Sequence, residues 1–160
     1  MGGYPSHVRT WRRWLHRLPI LLHGLGIRGY ERVLGVDWLL LTTTGRRTGR
    51  PRTVMVDAID HDDETDTWYV QPAEPQADWL ANLRADPRAT VEVRGRRFAA
   101  RAEEITGPRG ADVILRFIRG HPRYARLVIA LVGYVDSPDH SDDELRARLR
   151  DVPVVALRPI

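Results

Sequence analysis

The densest chemistry in this chain lies in Leu39-Leu40-Leu41-Thr42-Thr43-Thr44-Gly45-Arg46-Arg47-Thr48-Gly49-Arg50-Pro51-Arg52-Thr53. An apolar strand pattern runs into a tight glycine turn, and a second alternating segment leaves it. Arg46, Arg47, Arg50 and Arg52 sit in and beside the turn with no acidic residue among them. A guanidinium is a planar, permanently charged fork that matches the oxygens of a phosphate or a carboxylate. Glycine allows the backbone to come close to a ligand. The chemistry this pattern suits is anion capture at the rim of a rigid sheet, as a fold would use to grip a phosphorylated cofactor.

Composition limits what else the chain could do. Its 160 residues suffice for one domain with a proper core, and 42% hydrophobic with 29% charged residues fits a globular protein and not a disordered one. There is no cysteine, which excludes disulfides and thiol chemistry. All 25 basic residues are arginine, so a Schiff-base lysine, a pyridoxal anchor and a lysine P-loop are excluded as well. Ten of those arginines fall in residues 1–52 against only Glu31 and Asp37, whereas residues 53–160 are net acidic. An anionic cofactor, a nucleic acid or an anionic membrane surface could each use that cationic first third.

No segment is long and apolar enough to span a bilayer; the longest apolar run is Leu127 to Val132. The first residues lack the apolar core of a signal peptide, so a cytoplasmic location is expected. Gly2 with Ser6 matches only the bare myristoylation pattern. The histidines at 7, 16, 23, 61, 121 and 140 form no His-x-x-x-His pair. Asp60–Glu64 reads as a solvated hairpin tip, not a calcium loop. No metal site and no serine-nucleophile turn is expected.

The elements that must position the turn follow from periodicity. Residues 6–18 have a basic amphipathic pattern with Trp11, Trp14, Leu15 and Leu18 on one stripe. The stripe suits packing on the domain, with peripheral membrane contact as the alternative. Residues 20–36 carry four glycines around a short second helix. Strand patterns are expected at Asp37–Thr43, Thr53–Ile59, Thr67–Gln71, Arg88–Arg94, Arg97–Ile105 and Pro153–Leu157. Helices are expected at Pro75–Ala85, 110–119, 122–133 and 142–149, with Leu127, Val128 and Leu131 lining the third and a capping box at Ser141 and Glu144. Six strands at hairpin spacing with helices before, between and after them predict a small antiparallel barrel in an α+β fold. The expected division is a helical segment at 1–36 packed on a barrel domain at 37–160.

Several blocks in register resemble the deazaflavin-dependent nitroreductase family, a branch of the split β-barrel flavin and deazaflavin oxidoreductases. They are Leu40-Leu41-Thr42-Thr43-Thr44-Gly45-Arg46-Arg47-Thr48-Gly49 with Arg52-Thr53, then Ala77-Asp78-Trp79 with Asn82-Leu83-Arg84-Ala85-Asp86-Pro87, then Gly95-Arg96-Arg97-Phe98, and last Pro153-Val154-Val155-Ala156-Leu157. The resemblance implies a split barrel that binds coenzyme F420, with FMN as the alternative ligand. It implies an F420H2-dependent reductase passing hydride to a small electron-poor acceptor such as a quinone, an enone or a nitro compound. Thr44, Gly45, Arg46, Arg47, Thr48, Gly49 and Arg52 would then hold the coenzyme's phosphate and carboxylates, helped by the amides of Thr48 and Gly49. Successive N–H groups in a glycine turn do form an anion nest. Gln71, Trp79 and Asn82 would lie near the ring system. Tyr124 and Tyr134 would face the substrate as the catalytic pair, a tyrosine hydroxyl being able to donate a proton.

This chain departs from the family at Gln71-Pro72-Ala73-Glu74-Pro75, where small residues are usual, at Val54, where a proline is usual, and in a longer region at 120–151. Two other function classes compete with this reading. A barrel of this kind could carry FMN, haem or a fatty acid without turnover. Gly49-Arg50-Pro51-Arg52 resembles the core of an AT-hook, but it lies between two strand patterns and no aromatic stacking platform accompanies it, so no nucleic-acid partner is expected. Split barrels occur as monomers and as homodimers, and both states are compatible with the sequence.

Overall fold

The computed structural model describes residues 36–74, 76–132 and 135–160. The amphipathic segment at 6–18, the glycine-rich segment that follows it and Tyr134 lie outside the described residues. Six strands, β1 (Asp37–Thr44), β2 (Pro51–Asp62), β3 (Thr67–Val70), β4 (Arg88–Val93), β5 (Arg96–Ile105) and β6 (Val154–Pro159), close into an antiparallel barrel in the order β1-β2-β3-β6-β5-β4. Four helices accompany them: α1 (Asp78–Ala85), α2 (Gly107–Gly120), α3 (Pro122–Val132) and α4 (Asp142–Leu149). Closure pairs every strand on both sides and leaves no sheet edge open.

Two apolar clusters follow from the alternation of side chains across the barrel wall. Leu39, Leu41, Val56, Ala58, Trp68, Val91 and Leu157 point inward, where Trp79, Leu80 and Leu83 of α1 join them. Ile59, Tyr69, Val154 and Ala156 point outward, under Ile114, Phe117 and Ile118 of α2 and Leu145 and Leu149 of α4. The change of phase along β2 comes from a register shift between Ala58 and Asp60. With one residue left over, Ala58 faces the interior and Ile59 faces the helices. The same bulge carries β2 past Ile59, where strict alternation would have ended it. Beyond it Asp60 binds Arg116 of α2, and His61 stacks on Trp68 with centroids 3.9 Å apart.

Local chemistry fixes the remaining ends. Ser141 caps α4, its hydroxyl accepting from the Glu144 N–H while the Glu144 carboxylate accepts from the Ser141 N–H, a closed capping box. At the barrel pole formed by the β2–β3 and β4–β5 turns, Arg96 grips the Asp66 carboxylate and holds its pKa at about 2, helped by His61. Arg94, from the neighbouring turn, pairs with Asp37 and lies over the Trp68 ring. On α3 the expectation for Leu127 is corrected. Leu127 is 53% exposed, and the helix turns Tyr124, Ala125 and Ile129 to the outer cluster instead.

Candidate active site

The glycine turn joins β1 to β2 at the opposite pole. Its backbone folds on itself: the Gly45 N–H donates to the Arg50 carbonyl at 2.9 Å, and the N–H groups of Thr48 and Gly49 donate to the Gly45 carbonyl at 3.1 and 2.7 Å. A Cβ on Gly45 would lie 3.0 Å from both the Arg50 carbonyl and the Thr48 hydroxyl, so any larger residue would force the loop to shift. Gly49 has φ of +64°, the left-handed region that side chains disfavour. The expectation that the amides of Thr48 and Gly49 face a ligand is corrected. Both are spent inside the turn, which makes them its frame.

Asn82 ties this frame to α1. It is buried, at 4% exposure. Its Oδ1 accepts from the Arg46 N–H at 3.1 Å and from Arg46 Nη1 at 3.2 Å, and its Nδ2 donates to the buried Thr43 hydroxyl at 3.1 Å. Arg46 Nη1 also donates to Asp78 Oδ1 at 3.0 Å. Thr43, Arg46, Asp78 and Asn82 thus form one network that fixes the turn against the first turns of a helix. Trp79, on the same helix, is buried in the inner apolar cluster as a core anchor.

The exposed arginines are the part left over. The side chains of Arg47, Arg50 and Arg52 have no hydrogen-bond or ion-pair partner among the described residues, and no carboxylate neutralises them. Elsewhere arginine is commonly paired, as in the bidentate Arg84–Glu104 contact or the Arg119–Asp142 pair. Three guanidinium groups in and just after one rigid turn suit an anion with several oxygens. The family resemblance implies Arg46, Arg47 and Arg52 as contacts, and Arg50 joins them. The signal was present in the absence of any acid between Thr44 and Thr53. Thr44 is exposed at the end of β1, beside this group.

A second group lies farther along the same wall. The outward row Thr53, Met55, Asp57 leads down β2, so Asp57 is roughly 20 Å of strand rise from the turn. There the Tyr124 hydroxyl donates to Asp57 Oδ2 at 2.7 Å, and the ring meets Phe117 edge-on at 5.9 Å. Asp57 pairs across the ladder with Trp38. Gln71 follows β3 directly, and Val70 pairs with Ala58, which places Gln71 at this level and not at the turn. The structure therefore divides the expected residues: Thr44 to Arg52 with Asn82 at one end, Gln71 and Tyr124 at the other. Glu74, whose charge would oppose an anion, sits at the entry to α1, where its carbonyl accepts from Ala77.

Burial pushes the Tyr124 phenol well above its ordinary value, and the neighbouring Asp57 charge and the hydrogen bond to it add to the shift against a smaller opposing effect of Trp38. The folded chain therefore keeps this proton above about pH 10, where an unfolded tyrosine loses it. The stabilisation is complete below that pH and declines as pH rises beyond it. Denaturant midpoints followed from pH 8 to 11 should fall more steeply for the native chain than for Tyr124→Phe. Parallel curves would contradict the buried contact.

A family profile described as F420H(2)-dependent quinone reductase matches residues 23–128, well over half of the chain and inclusive of the turn, α1 and Tyr124. The chain belongs to that family. It is an oxidoreductase, and its coenzyme is F420. Among curated proteins none matches. Solved structures that resemble it include an F420-H2 dependent reductase (FDR-A), with 19% identity and a TM-score of 0.52 over 76% of this chain and 93% of that one. Another, described as a domain-swapped dimer, has 20% identity and a TM-score of 0.52 over 92% and 97%. A Clostridium acetobutylicum protein related to general stress protein 26, of the pyridoxinephosphate oxidase family, has 10% identity and a TM-score of 0.52 over 81% and 79%. At these identities the neighbours speak to the fold alone, and they share it. The donor set fits coenzyme F420: its phosphodiester and carboxylates are anionic, and the turn region offers guanidinium groups with no internal partner. Among the described residues there is no helix long and apolar enough to cross a membrane and no cluster of side chains able to hold a metal ion.

Proposed function

We propose that this chain catalyses two-electron reduction of a quinone by reduced F420, with enones and nitro compounds as further acceptors. Arg47, Arg50 and Arg52, with Arg46 beside them, bind the coenzyme's anionic end. The observation that supports this reading is the group of unpartnered guanidinium groups on a turn whose backbone is locked by Gly45 and Asn82. When bound, the reduced coenzyme supplies a hydride from its C5 carbon. The protein's part is to bind, orient and exclude water. The outward row of β1 and β2, with Leu40, Thr42, Thr53 and Met55, offers a mixed apolar and hydroxyl-bearing strip leading away from the turn. Gln71 and Trp38 stand where that strip reaches Asp57.

Tyr124 holds a proton between its oxygen and Asp57. The acceptor oxygen that gains negative charge on reduction takes its proton from water or from this hydroxyl, which burial beside Asp57 makes a weaker acid than a free phenol. Tyr134 shares this proposed role from the sequence alone. The full chain mixed with reduced F420 and menadione should regenerate the visible absorbance of the oxidised coenzyme far faster than a protein-free control. Binding of F420 without turnover would sink the reductase reading. Absence of binding would sink the site as well.

A further inference from the structure

One guanidinium of the turn is held differently from its neighbours. Arg46 uses a single nitrogen internally: Nη1 donates to Asp78 Oδ1 at 3.0 Å, to Asn82 Oδ1 at 3.2 Å and to the Asp78 carbonyl at 3.4 Å. Its Nε and Nη2 have no partner among the described residues. Those two nitrogens form the side-on edge with which a guanidinium grips two oxygens of a phosphate or carboxylate in parallel. The Arg46 side chain is 30% exposed.

We propose that Asp78 is a positioning residue for coenzyme capture: it pins Arg46 through Nη1 and leaves the Nε–Nη2 edge formed in advance for the coenzyme's anionic end. The proposal rests on the turn being the F420 anion site. Its physical basis is the rotamer freedom of arginine, among the largest of any side chain. Order already present in the free protein need not be imposed on binding, and affinity gains accordingly. Elementary electrostatics argues against a carboxylate here, since a negative charge beside an anion site repels the ligand. Stability does not explain it either. The Asp78 side chain is 87% exposed, and exposed ion pairs contribute little. A favourable position in the first turn of α1 is the remaining structural role.

Asparagine and alanine at this position separate these roles. The asparagine amide oxygen still accepts from Nη1 without the charge, and alanine offers no acceptor. Equilibrium binding of oxidised F420 to the full chain, read by coenzyme fluorescence, should be about fivefold weaker for Asp78→Ala. Asp78→Asn should bind as tightly as the native chain, or more tightly. If repulsion is the only effect, both variants tighten alike. If the residue serves only the helix, both melt at lower temperature and bind with equal affinity. Either result overturns the proposal. A native chain that fails to bind F420 is a different failure, of the site itself, and removes the proposal with it.

Discussion

Replacement of Arg47, Arg50 and Arg52 together by glutamine should lower the affinity for F420 about a thousandfold and leave the melting temperature unchanged. The reasoning separates binding from folding. These side chains have no partner within the described residues, so the fold loses no contact with them. Surface substitutions of that kind shift stability by about 0.5 kcal/mol or less. Each guanidinium can supply a charge-assisted hydrogen bond of about 1.5 kcal/mol to a phosphate or carboxylate oxygen. Three of them come to about 4.5 kcal/mol, roughly three decades in dissociation constant. Salt gives an internal check. Exposed charges are screened over about 10 Å at 0.1 M ionic strength, so native affinity should fall as salt rises while the triple variant stays flat. Arg97→Gln on β5, also exposed and with an unpartnered side chain, is the control for position: it removes one such charge at another place on the wall. A triple variant that binds F420 as the native chain does, or an Arg97→Gln variant that loses as much, would remove the turn from the site.

What the sequence could and could not convey about this site follows from how far each signal reaches. The barrel was legible because alternation is local: Ala89, Val91 and Val93 point inward and Arg88, Thr90 and Glu92 outward, as their spacing requires. The turn was legible because glycine and arginine are themselves the chemistry. Three features were not. The β2 bulge depends on the Ala58–Asp60 pairing with β3, a partner that β2's own pattern does not specify. The inward use of the Thr48 and Gly49 amides depends on which carbonyl comes nearest when the loop closes, and a nest and a self-locked turn have the same glycines. The two-ended arrangement, with Tyr124 on Asp57 roughly 20 Å along the wall from the arginines, needs contacts 67 residues apart in the chain. Leu127 shows the same limit on a smaller scale. A short run of apolar residues does not say which of them faces the protein, and the helix phase is set by Tyr124, Ala125 and Ile129.

Asn82→Ala should be the most damaging single substitution near the site, and it should act on folding and binding together. The asparagine is 4% exposed, and each end of its amide has a partner: Arg46 at Oδ1, Thr43 at Nδ2. Alanine leaves the Arg46 N–H without its acceptor. It leaves the Thr43 hydroxyl with only the long 3.5 Å contact to the Arg52 carbonyl. It also opens a void between α1 and β1. Unsatisfied buried polar groups cost about 1–3 kcal/mol each, and a truncated core side chain adds a cavity contribution. A loss of about 3 kcal/mol is expected, which for a domain of this size lowers the melting temperature by roughly 10 °C. The same change releases the turn from the helix that orients it. Affinity for F420 should therefore fall even well below the melting temperature, where the variant is still folded. This order of effects is the reverse of the arginine triple, in which binding is lost and stability kept. Two measurements on the same samples, thermal unfolding and coenzyme binding, place each residue on its side of that division. Should Asn82→Ala melt within about 2 °C of the native chain, the buried amide is not the tie between turn and helix, and Arg46 is held by Asp78 alone.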